Sequence, residues 1–257
     1  IVNSVVAPVS AVGADDTGLA TYKGKMVYVT DKESKLWKID LTGESASFNK
    51  TILFDSEATY ENQRYSYYAT EASVINGVTG NKLWLYYGTG NKKALSLEST
   101  TIQNHIYGIR DPHFPNFNSI SSTPNITNCT GDDGSCPTSA HAGWYRDISK
   151  TGNDLNYRKV TSKPLLTNKK VSFLYYDPNK RDPCKVGEGS QYTYDYKCGG
   201  TTGSIKGGIS GIITGSVIYK GKEYLTVSGT IDKKELEQND KLKKGTENVF
   251  VNLKPNT

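Results

Sequence analysis

Short runs rich in Val, Ile, Tyr and Thr recur along the chain, broken by turn residues about every ten positions. The punctuation falls at Lys23-Gly24-Lys25, Asn76-Gly77, Gly80-Asn81, Asp132-Asp133-Gly134 and Lys220-Gly221-Lys222. β-Branched and aromatic enrichment in runs this short predicts strands. They fall at Met26–Thr30, Lys35–Leu41, Thr51–Phe54, Ala72–Ile75, Lys82–Tyr87, His105–Ile109, Trp144–Ile148, Val171–Tyr176, Tyr192–Tyr196, Ile212–Tyr219, Glu223–Ser228 and Val249–Leu253. The short turn between Val217–Tyr219 and Tyr224–Val227 predicts a hairpin. The expected fold class is therefore all-β, in one domain over 1–257.

Two stretches interrupt the pattern. Pro112–Gly143 carries four Pro and many Asn and Ser, and predicts a long loop insertion over 112–142. Lys233–Lys244 is highly charged, with Leu236 and Leu242 as its main apolar points. Two leucines six apart make a poor amphipathic face, so 233–244 predicts a solvated surface insertion, helical or irregular. One internal echo stands out: Lys35-Leu36-Trp37 with Thr42-Gly43 recurs as Lys82-Leu83-Trp84 with Thr89-Gly90. The spacing falls within the roughly 40–50 residues of a four-stranded propeller blade, although two tryptophan strands of a sandwich would give the same pair.

Composition narrows the function classes. Of 257 residues, 35% are hydrophobic and 11% aromatic, with 18 Tyr and 25 Gly, and no run approaches the roughly 18 apolar residues a spanning helix needs. The net charge of +5 is spread along the chain rather than gathered in the stripe that nucleic-acid binding uses, so no nucleic-acid partner is expected. The chain opens at Ile1 and its single methionine is Met26, which leads us to expect a preceding segment that is not in view.

Four cysteines, Cys129, Cys136, Cys184 and Cys198, form two sequence-local pairs. Short polar loops with little apolar content favour the disulfides Cys129–Cys136 and Cys184–Cys198, and with them an oxidising compartment. Zinc ligation is disfavoured by the spacing, and buried thiols stay open as the alternative.

The chemistry-bearing motifs of common enzymes are missing. There is no Gly-x-Ser-x-Gly elbow, His-Glu-x-x-His pair or phosphate-binding loop, and His105 and His141 have no evident partner, so each is assigned an ordinary polar surface or interface role. Asp15-Asp16 and Asp132-Asp133 lack the alternating carboxylates of a calcium loop and read as turns. No catalytic or cofactor residue is therefore assigned. Tyr60, Tyr65, Tyr67 and Tyr68 cluster in the polar stretch 57–70 and form the candidate partner surface, since Tyr gives large contact area at little rotamer cost. An edge strand packed by tyrosines would explain the same residues.

The order of several motifs resembles the C-terminal region of the PilY/PilC family of type IV pilus tip-associated adhesins and biogenesis factors. They are Lys35-Leu36-Trp37-Lys38-Ile39-Asp40-Leu41, Leu85-Tyr86-Tyr87-Gly88-Thr89-Gly90-Asn91, His105-Ile106-Tyr107-Gly108-Ile109-Arg110-Asp111 and Gly143-Trp144-Tyr145-Arg146-Asp147-Ile148. Val171-Ser172-Phe173-Leu174-Tyr175, Pro183-Cys184 and Gly208-Ile209-Ser210-Gly211 continue the series, which covers about residues 25 to 230.

The resemblance implies a modified β-propeller, of which about three or four blades' worth of strands would lie here. It implies a non-enzymatic, exported protein at the cell surface, pilus tip or outer membrane. Its partners would be minor pilins or the tip complex, and a host-cell or abiotic receptor. Calcium is a family cofactor, but the matching stretch Val12–Tyr22 supplies only Asp15 and Asp16, and no Arg-Gly-Asp tripeptide is present. The variable stretches 112–142 and 233–244 are further candidate contacts. A quinoprotein-like propeller enzyme and a secreted carbohydrate-binding module are the alternatives; the first would need stacked aromatics, a calcium carboxylate and a catalytic Asp at one point.

Overall fold

The computed structural model describes residues 4–13, 25–42, 48–75, 82–97, 99, 101–131, 136–148, 157–178, 187–202, 206–219, 222–228, 243–244 and 249–252. Alternation along the strands sets which side chains go inward. In β1 (Ser10–Gly13), β2 (Lys25–Thr30), β3 (Leu36–Asp40) and β4 (Asn49–Phe54), Met26 and Tyr28 of β2 and Leu36 and Lys38 of β3 are buried while Trp37 is only half covered. These four strands form an antiparallel meander in chain order.

A second sheet contains β5 (Glu71–Ile75), β6 (Lys82–Gly88), β7 (His105–Asp111), β8 (Thr127–Asn128) and β9 (Gly143–Asp147), in the order β5-β6-β7-β9-β8, with only β8 parallel to its neighbour. The third holds β10 (Lys159–Val160), β11 (Leu165–Thr167), β12 (Lys170–Asp177), β13 (Glu188–Asp195) and β14 (Lys206–Ser210); β10 and β11 both pair with β12. The fourth is built from β15 (Ile212–Tyr219), β16 (Lys222–Ser228), β17 (Lys243–Lys244) and β18 (Val249–Asn252). Among the described residues the one helical segment is a 3₁₀ turn, Lys92–Ala94. The chain is all-β, as its pattern predicts, and the predicted hairpin is β15–β16.

The sheets stack face to face in chain order. Met26, Tyr28, Leu36 and Leu53 of the first pack on Leu83, Leu85, Tyr87, Tyr107 and Ile109 of the second. The opposite face of the second sheet sends Trp84, Tyr86, Ile106 and Trp144 against Val171, Phe173, Tyr175 and Tyr194 of the third. Leu174 of the third then meets Ile213, Leu225 and Val227 of the fourth. Burial on both faces explains why β6 reads as the near-continuous apolar run Leu83–Tyr87 rather than as an alternation.

Trp144 is packed closely from both sides. Its indole lies between Gly108 of β7 and Gly199, where a Cβ on either glycine would collide with the ring, and its Nε1–H donates to the Tyr196 carbonyl at 3.1 Å. Gly199 also has φ +69, a conformation other residues rarely adopt.

The 47-residue echo falls on unlike positions: Trp37 is on the third strand of its sheet and Trp84 on the second. The equivalence lies in the leucines, since Leu36 and Leu83 are buried in the same cluster. Within 112–142, the described residues are irregular apart from β8, yet Phe114, Phe117, Ile120 and Ile126 join the core between the first two sheets. Of 233–244, only Lys243–Lys244 lies among the described residues, as the strand β17.

Candidate functional site

The loop 55–70 carries the chain from β4 to β5, and so from the first sheet to the second. It runs beside the β2–β3 turn and the β6–β7 connection. Ser66 N–H donates to Lys32 O at 3.2 Å, Gly90 N–H to Tyr65 O at 2.8 Å, and Gln103 N–H to Asn62 O at 2.9 Å. Arg64 fastens it further, donating from Nε to Gln103 O (2.9 Å), from Nη2 to Gln103 Oε1 (2.7 Å) and from Nη1 to Ser56 O (3.0 Å). Glu57 and Gln63 sit at φ 54 and 56, conformations that this bonding holds in place.

All four predicted tyrosines lie on this loop, which is irregular rather than an edge strand. Tyr60 is 80% exposed. Tyr65, Tyr67 and Tyr68 are half-buried: Lys32 Nζ stands 5.0 Å from the Tyr65 ring centroid, Lys92 Nζ 5.5 Å from that of Tyr68, and Tyr67 Oη donates to Asn91 Oδ1 at 3.3 Å. Burial pushes all three phenols above their ordinary range, and for Tyr65 the charge of Glu33 adds to it. They are neutral, amphipathic and held in place, which is how a surface offers contact area at low entropic cost.

Beside the loop lies a cleft of ≈ 460 Å³, with Asp55, Glu57 and Arg64 on one side, Thr123–Ile126 on the other, and His105, Tyr107 and Tyr145 as its lining within the second sheet. His105 is buried rather than on the polar surface expected for it, because its position on β7 faces the first sheet's end of the core. Burial, with Arg64 second, pushes its imidazole down to about 3, so the ring is neutral; Nδ1 lies 3.0 Å from Tyr107 Oη. His141 does lie near the surface, with Nδ1 2.8 Å from Thr138 Oγ1. A neutral imidazole, phenols and an arginine already committed to carbonyls suit this cleft to hydrogen-bonding recognition of polar groups.

At the opposite end of β7 from His105, Asp111 forms a wholly buried ion pair with Lys38 of β3 at 2.7 Å. Tyr28 Oη donates to Asp111 Oδ2 at 2.7 Å, His113 N–H to Oδ1 at 2.9 Å, and Lys38 Nζ to Asn116 O at 2.7 Å. The pair therefore pins the start of the 112–142 stretch to both sheets. Lys38 stands at an inward position of β3, two residues on from the buried Leu36, where a strand pattern would place an apolar side chain.

The disulfide pairing differs from expectation. Cys136 bonds to Cys198, so neither Cys129–Cys136 nor Cys184–Cys198 forms. Cys129 is buried next to β8 with its Sγ 3.1 Å from Cys198 O, so Cys198 lies beside both cysteines of the first expected pair and bonds to Cys136; Cys184 lies outside the described residues. Asp15, Asp16, Asp132 and Asp133 also lie outside them. Among the described residues no three His, Cys, Asp or Glu side chains converge as metal ligands would. No helix among them is long and apolar enough to cross a membrane.

No family model and no curated protein matches the chain. Among solved structures, the fold is similar to the crystal structure of the Pseudomonas aeruginosa PilY1 C-terminal domain, with a TM-score of 0.55 and 16% identity over 80% of this chain. The match spans 56% of that chain, and what it establishes is a PilY1-like fold.

Proposed function

We propose that this chain is part of an exported, non-catalytic factor of type IV pili that supports pilus assembly and attachment, and that its four sheets are successive blades of a modified β-propeller. The observation that carries the reading is the face-to-face stack of sheets in chain order, in a fold that is PilY1-like over 80% of the chain. The Cys136–Cys198 bond supports export, since such bonds persist in oxidising compartments. In this reading minor pilins or the tip complex hold the scaffold, and the Tyr60–Tyr68 loop faces a host-cell or abiotic surface. It takes no cofactor, and its function is interfacial.

The experiment is to shear pili from cells that express the protein and probe the pilus fraction with an antibody to the chain. Co-purification at the pilus end by immunogold labelling is expected. Protein found only in the culture medium, with none on pili, contradicts the reading.

A further inference from the structure

On the other face of the second sheet from the tyrosine cleft, a pocket of ≈ 280 Å³ is lined by Ile75, Lys82, Trp84, Arg110, Pro137 and Lys197, and by the Cys136–Cys198 bond. Strand register places Ile75 opposite Lys82 and Trp84 opposite Arg110, and Lys82 and Trp84 are two apart, so all four share one face. Arg110 Nη2 donates to His141 O at 2.8 Å and to Ser139 O at 3.4 Å, which holds the loop of Cys136 and Pro137 at the rim. From the third sheet, Asp195 Oδ1 accepts from the N–H groups of Lys197 and Cys198 at 2.8 and 2.7 Å and fixes the turn that presents Lys197, whose Nζ stands 5.4 Å from the Tyr196 ring centroid.

The lining holds three cations and, among the described residues, no carboxylate. None of the three makes an ion pair with a described residue. Cations gathered in a concave site between low-dielectric walls focus their field on whatever enters, so the occupant carries negative charge. Its size is set by the volume: ≈ 280 Å³ exceeds the roughly 150 Å³ of an apolar cavity that holds benzene, far more than one carboxylate fills. The rest of the lining includes the apolar side chains of Ile75, Pro137 and Trp84, which suit a compact saturated ring.

We propose that this pocket binds a carboxylated sugar unit, with Lys82, Arg110 and Lys197 around the carboxylate and Ile75, Trp84 and Pro137 against the ring. The proposal does not depend on the pilus reading. Binding by the isolated chain and presence on pili are separate measurements, and either can fail alone.

The test is titration of the whole chain with glucuronic acid, glucose and sodium sulfate, followed by the Trp84 indole N–H signal in NMR. Lys82→Gln/Lys197→Gln is the variant, because both lysines are half-buried at the rim, and its thermal transition is checked against the unaltered chain. The expected result is saturable binding of glucuronic acid, no response to glucose at equal concentration, at least tenfold weaker binding of sulfate, and at least a tenfold loss in the folded variant. No saturation with glucuronic acid overturns the proposal. So does an equal response to glucose, an equal affinity for sulfate, which would make the pocket a plain anion site, or unchanged affinity in the variant. Should the variant not fold, the single Lys197→Gln replaces it, with the same tenfold criterion.

Discussion

Asp111 accepts from Tyr28, Lys38 and His113 in a site without solvent, so the consequences of altering it are unequal. Asp111→Ala strands a buried ammonium and is expected to cost about 3–5 kcal/mol in urea unfolding. Tyr28→Phe removes one donor to a charged acceptor, at about 1.5–3 kcal/mol. Gly108→Ala drives a methyl into the Trp144 ring, and a loss of about 1–3 kcal/mol is expected for such overpacking.

His105 carries a pH dependence of definite sign. Its folded value, about 3, lies below that of the unfolded chain, about 6.5. Above 6.5 both states leave it neutral; as pH falls from there towards 3, the unfolded chain takes up a proton that the folded one refuses, and stability is lost. Unfolding free energies of the unaltered chain and His105→Gln, compared between pH 7 and 4, should show a steeper decline in the unaltered chain. Equal slopes would contradict a neutral, buried His105. None of this was legible beforehand, because burial of a His or a Lys depends on what packs over its strand, and that partner is a different sheet.

Elements were legible where a strand is long and enriched in apolar β-formers, as in β2, β6, β7, β12, β15 and β16. β10 and β8 are two residues each, too short for any period to register, and β14 reads Lys-Gly-Gly-Ile-Ser, where two glycines hide the strand. The tyrosine cluster was visible as a cluster, but its support by Arg64, Asn91 and Lys92 was not, since these come from elsewhere in the loop and from the β6–β7 connection. Cysteine pairing failed for a related reason: sequence proximity does not report that the turn after β13 brings Cys198 beside both Cys129 and Cys136. The crosslink spans 62 residues, and closing a loop of that order is worth about 4 kcal/mol by the chain-entropy account. Cys136→Ser/Cys198→Ser should lower the thermal transition accordingly, and a non-reducing peptide map should recover residue 136 joined to 198; a 129–136 peptide would contradict the fold at this point.

For the whole molecule, the stack is what supports the propeller-like arrangement proposed above, and the role is a further step that fold alone does not supply. A strand count alone fits many sandwiches, whereas four sheets packed in chain order, each core shared by consecutive sheets, is the arrangement radial β architectures use. The tyrosine loop and its cleft lie between the first two sheets, and the cationic pocket between the second and third. In the proposed function attachment and scaffold stability are separable: Tyr60→Ala removes an exposed ring and should leave the unfolding transition within about 0.5 kcal/mol of the unaltered chain, while reducing cell attachment several-fold in an adhesion count. The most direct test of the central claim is to delete the gene in the organism that carries it and to score surface pili and attachment separately, with pilus retraction intact and with the retraction motor disabled. The account predicts loss of pili that return once retraction is disabled, with attachment still absent. Unchanged piliation and attachment in the deletion strain would contradict it.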